Sequence, residues 1–140
     1  MPLALLLAMV QAPMEPTPEW RVAAFGRGVV VYVDQASVAR TGDEVRFRLQ
    51  QRRPEPADAD RALHAVTANC MTGNWRSVYS WTYRENGRTL RAEETLAIET
   101  RAGSVYGAAL AKVCEDVLGT PGPDIDQHAA DYFNAPVSPR

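Results

Sequence analysis

The 140-residue chain has only two cysteines, Cys70 and Cys114, two histidines, His64 and His128, and a single lysine, Lys112. Neither histidine stands at metal-ligand spacing from either cysteine, which argues against a zinc site. No apolar run approaches the roughly 20 residues a membrane helix needs. An excess of one charge is also missing. Fifteen basic residues face seventeen acidic ones, for a formal net charge of -2, so nothing draws the whole chain to nucleic acid or anionic lipid. Catalytic signatures are lacking too. Gly103-Ser104-Val105-Tyr106-Gly107 has the wrong spacing for a nucleophile elbow, and no glycine-rich phosphate loop opens a helix. Glu93 and Glu94 are adjacent on a predicted strand, point to opposite faces and cannot act as a pair. Asp34 ends a predicted strand, where it is better suited to cap the following loop, through Ser37 or nearby amides, than to accept a proton. The composition and motifs predict no enzyme, no catalytic residue, no cofactor and no metal.

What is present suits one globular domain. Hydrophobic residues make up 46% and charged residues 23% of the chain, both ordinary for a folded protein. Residues 3–10, LALLLAMV, fit the apolar region of a secretory signal, and Val10-Gln11-Ala12 supplies small residues for cleavage. Residues 1–12 are therefore read as a signal-like segment, and residues 13–18 as a proline-spaced linker. Residues 19–118 are read as the folded domain. Residues 119–140 are read as a Pro/Gly-rich flexible tail, in which only Gln127 to Phe133 could form a turn or two of helix. The alternative for the N-terminus is an apolar segment on a cytosolic protein.

Inside the domain the hydrophobic period is two. Val45, Phe47 and Leu49 alternate with Glu44, Arg46, Arg48 and Gln50, the pattern of a strand with one wet face. Strands are also expected at Trp20 to Phe25, Val29 to Val33, Arg61 to Cys70, Trp75 to Glu85 and Arg88 to Leu96, with Asp34 to Gly42 as a loop. Asn86-Gly87 is a strong hairpin signal. After Gly103 the period changes. Ser104 is a plausible N-cap. Tyr106, Ala109, Leu110, Val113, Cys114 and Val117 share one helical face, and Gly119 is a suitable stop. The expected fold is α+β: an antiparallel sheet of about six strands with one C-terminal helix of about four turns packed on it.

Cys114 lies on the apolar helix face and Cys70 ends a strand of the sheet that must receive that face. An even count, together with export, favours a Cys70–Cys114 disulfide. Two buried free thiols are the alternative. Trp75, Tyr79, Trp81 and Tyr83 are all odd-numbered on one strand and share one face. They are read mainly as core beneath the helix. The competing reading is an exposed binding surface of Trp75, Tyr79, Trp81, Tyr83 and Arg84, of the kind that stacks sugars or single strands. The net charge and export weigh against nucleic acid.

These residues fall into an order that resembles the surface-adhesin protein E family. The opening EWRVAAFGRGVVVYVDQASVARTGDEVRFRL carries Trp20, the Tyr32-x-Asp34 strand end and the Ser37-Val38 pair. Cys70 before an aromatic strand, Tyr83 to Gly87, Gly103-Ser104 and the helix cysteine Cys114 follow in order, so the resemblance covers about residues 19–117. It implies an exported bacterial domain, an antiparallel sheet with a C-terminal helix held by a disulfide, located in the periplasm or at the cell surface. The expected function is an envelope or surface binding module, adhesin-like, that engages another protein of the host or the envelope. Self-association is left open. A periplasmic structural or ligand-carrier protein is the alternative, and a small enzyme a distant third.

Overall fold

The computed structural model describes residues 17–26, 28–53, 59–85, 88–119 and 125–134. The signal-like segment, most of the linker and the Asn86-Gly87 turn lie outside them. The sheet is a six-stranded antiparallel meander in chain order: β1 (Trp20–Gly26), β2 (Val29–Thr41), β3 (Glu44–Arg52), β4 (Ala59–Asn69), β5 (Asn74–Glu85) and β6 (Arg88–Glu99). Helices α1 (Val105–Cys114) and α2 (Ile125–Asn134) follow. The α+β class, the antiparallel sheet, the packed helix and the disulfide are as the sequence leads one to expect. A second helix is added.

Alternation sorts β3 as its sequence dictates. Val45, Phe47 and Leu49 are buried while Glu44, Arg46 and Arg48 are exposed. In β2 the whole run Val29 to Asp34 is buried, because the strand is covered on both faces. Helix α1 packs mainly on β1 and β2, placing Ala109, Leu110 and Val113 in one core with Val31, Val33, Leu49 and Trp75. On the other face α2 meets Phe25, Tyr32 and Arg52. Asp126 pairs with Arg52, the His128 ring meets Tyr32, and Tyr132 stacks on Phe25 at 4.9 Å. The stretch expected to be a flexible tail thus holds a ten-residue docked helix. Its anchor points are aromatic and charged residues, which helical periodicity weighs lightly.

Two further expectations are corrected. The predicted loop from Asp34 to Gly42 is largely strand, since β2 continues to Thr41. Between Asp34 and Ala39 it advances five residues while β3 advances two, from Arg48 to Arg46. The excess is absorbed as a bulge. Asp34 Oδ1 accepts the amides of Ala36 (3.1 Å) and Glu19 (2.8 Å). Ser37 Oγ donates to the Asp34 carbonyl (2.7 Å) and accepts the Arg48 amide (2.8 Å). The expected capping role of Asp34 is therefore filled, and it stabilises a bulge instead of a loop. The second correction concerns α1. Ser104 caps its start, accepting the Gly107 amide at 3.0 Å, but the helix ends at Cys114, not near Val117. Asp116 takes the left-handed conformation (φ 56°). The Val117 amide donates to the Lys112 carbonyl (3.0 Å) and the Asp116 amide to that of Val113 (3.2 Å), which is a Schellman closure. Val117 is left exposed. Gly119 instead donates its amide to Val22 of β1 at 3.0 Å, and a Cβ there would stand 2.9 Å from the Val22 oxygen.

Candidate functional site

The disulfide fixes how α1 lies on the sheet. Cys70, just past β4, is bonded to Cys114, the last residue of α1, with their Cα atoms 5.8 Å apart. Arg40 adds a bond from its guanidinium to the Cys114 carbonyl at 2.8 Å. Trp75 lies at this tethered end of the sheet. It is 2% exposed, with Phe47 edge-on at 5.6 Å and Tyr106 of α1 at 5.1 Å. Trp75 is core, as the main reading of the aromatic face holds.

The same face changes character along β5. Tyr79 and Trp81 share the parity of Trp75 yet are only half-buried. With Tyr106, Gln51, Arg53 and Arg61 they border a cleft of about 200 Å³. The expectation that the helix seals the whole aromatic face is therefore corrected. A helix seated on β1 and β2 reaches Trp75 through Tyr106 but does not close over Trp81. Tyr83 and Arg84 lie on β5, paired with Leu90 and Thr89; their side chains fall outside the described residues.

A buried polar chain links core to cleft. The Trp75 indole N–H donates to Ser77 Oγ at 3.2 Å. Ser77 Oγ in turn lies 3.1 Å from His64 Nδ1. An indole N–H only donates, so Ser77 accepts from Trp75 and has its own proton to give His64. His64 Nδ1 either takes that proton or donates its own to the second lone pair of Ser77 Oγ, while His64 Nε2 is buried with no hydrogen-bond partner. The His64 ring stacks on Tyr79 at 4.8 Å and touches Tyr106 at 5.6 Å. Burial pushes its pKa down to about 4, so it is neutral at physiological pH.

The hydroxyls of the cleft are oriented. Tyr79 donates to Glu94 on β6. This bond raises the phenol's pKa above the ordinary value, with burial and the Glu94 charge acting in the same direction. Tyr106 donates to Gln51 Oε1 at 3.1 Å. Burial raises its pKa, against the opposing charge of Arg53. Glu93 and Glu94 face opposite sides, opposite Ser80 and Tyr79 respectively. The described residues contain no cluster of three or more His, Cys, Asp or Glu that could hold a metal ion.

The sequence identifies Tyr79 and Trp81 by parity but misses Tyr106, Gln51, Arg53 and Arg61 as residues that line the cleft. Tyr106 reads there as one more apolar helix position, and no short-range signal shows that it forms the opposite wall. Comparison with known protein families, with curated proteins and with solved structures finds no match to this chain.

Proposed function

We propose that the chain is an exported binding module of the bacterial envelope or surface, and that the aromatic cleft beside α1 is its contact site. The observation that carries this reading is the half-burial of Tyr79 and Trp81 against Tyr106 in an open cleft. Large aromatic groups left partly uncovered next to arginines are typical of surfaces that bind something. The Cys70–Cys114 bond supports export, because such bonds persist in oxidising compartments. The order of residues shared with the surface-adhesin protein E family points the same way and favours an adhesin-like role toward another molecule of the host or envelope. A periplasmic ligand carrier is the second reading, favoured by the small volume of the cleft.

Surface labelling of intact cells, followed by fractionation, tests the location. The adhesin-like role requires a labelled chain, and the carrier role a chain released only with the periplasm. Recovery in the cytoplasm with two alkylatable thiols would refute both.

A further inference from the structure

We propose that the cleft takes a uronate-bearing saccharide, with one pyranose ring against Trp81 and its carboxylate at Arg53. This rests on the reading of the cleft as the contact site and adds the chemical class of its ligand.

Four observations converge. The first is size. About 200 Å³ is below the roughly 300–1,000 Å³ of pockets for drug-sized molecules, so the cleft suits one ring of a chain that continues into solvent. The second is the form of the walls. Trp81 and Tyr79 stand 6.5 Å apart at 40° to each other, an angled apolar wall and not a pair of parallel plates. A flat nucleobase stacks best on a parallel platform. A puckered pyranose presents a face of C–H bonds that fits an angled one. The third is the polar groups. Gln51 Oε1 is occupied by the Tyr106 hydroxyl, so Gln51 offers its NH₂ group, a donor suited to a sugar hydroxyl. The Tyr106 oxygen retains lone pairs to accept from one. The fourth is charge. Arg53 borders the cleft beside Tyr106, and its planar guanidinium fork matches a carboxylate.

The test is an NMR titration of the ¹⁵N-labelled protein with three probes: a mannuronate tetrasaccharide, its carboxyl-reduced counterpart and oligothymidylate. The expected result is a shift of the Trp81 indole resonance by the uronate while that of Trp75 stays in place. Arg53→Gln and carboxyl reduction should each weaken binding about tenfold, the loss expected for a charge-assisted hydrogen bond. Trp81→Ala should abolish the uronate-induced shifts of the backbone amides of Gln51, Ala62 and Tyr106, which line the cleft, with the Trp75 indole as the internal report that the fold is intact. Equal binding of the reduced saccharide, or preference for oligothymidylate at Trp81, would overturn the ligand class and leave the cleft as the site. Uronate binding that shifts residues outside the cleft and survives Trp81→Ala would overturn both. The absence of any shift with the uronate would also overturn the proposal.

Discussion

His64 should make this domain sensitive to mild acid. The imidazole is 3% exposed, and its neighbours include two phenol rings and a serine. Its described ring and hydrogen-bond contacts include no carboxylate to stabilise the imidazolium. Its pKa is therefore lowered to about 4 in the fold, against about 6.5 in the unfolded chain. The sign follows from proton counting. Between these two values the unfolded state binds a proton that the folded state refuses, so stability falls as pH drops from about 6.5 to about 4 and is unaffected by this group above that range. The slope reaches about 1.4 kcal/mol per pH unit, and the total loss is roughly 3 kcal/mol. That is a large share of the 5–15 kcal/mol typical of small domains. Denaturant melts at pH 7, 6, 5 and 4 measure it directly, and His64→Leu isolates the contribution. The variant removes the titrating group at similar volume, so its pH dependence should be shallower than wild type by about the same 3 kcal/mol. Parallel curves for the two proteins would show that the imidazolium finds solvent or a partner in the folded state, and the account of the buried chain would be wrong.

Three further outcomes follow from the packing. Reducing the Cys70–Cys114 bond, or replacing both cysteines with serine, frees a loop spanning 44 residues and should cost up to about 4 kcal/mol by chain entropy; an unchanged denaturation midpoint would contradict this. Trp75→Ala should cost about 3–5 kcal/mol as a buried large-to-small change, and Trp81→Ala only about 1–2 kcal/mol because the residue is half-buried; equal losses would mean that α1 seals the whole face. Asp116→Gly should stabilise the fold by about 0.5–1 kcal/mol, since the position is left-handed, a gain readable as a raised thermal midpoint.

Legibility in the sequence follows how local each determinant is. Strand β3 is written in its alternation, and the position of Ser104 marks the start of α1. The far end of α1 is harder to read, because Asp116 closes the helix where Gly119 is the residue type expected to do so. The bulge in β2 is hidden for a similar reason. Gln35, Ala36 and Ser37 look like loop residues, and only the bonds to Asp34 and to the amide of Arg48 show them to be an insertion in a strand. Helix α2 docks through Arg52, Tyr32 and Phe25, each far away in the chain. The aromatic face shows the limit most clearly. Parity assigns Trp75 and Trp81 to the same side, which is correct, but six residues along a strand is about 20 Å. Their opposite fates depend on which end of the sheet the disulfide ties to α1.

The cleft has a geometric origin that no single residue supplies. Six strands spaced about 4.8 Å apart make a sheet roughly 24 Å wide, whereas a helix with its side chains is about 10–12 Å across. One helix on a face therefore covers less than half of it. Because α1 sits mainly on β1 and β2, the shortfall falls on β5 and β6. A chain under selection for stability alone would make that margin polar, as it does on β6 at Glu94. Instead β5 places Tyr79 and Trp81 there, β6 keeps Leu96 half-buried and Ile98 exposed, and Tyr106 reaches out from the helix to form the facing wall. The fully buried contacts of α1 come from Ala109, Leu110 and Val113, with Tyr106 and Leu96 packed only partly buried against that core. Apolar surface held at the margin of the helix is what the proposed contact site requires of this face, and the half-burial of Tyr79 and Trp81 is where that proposal and the fold meet.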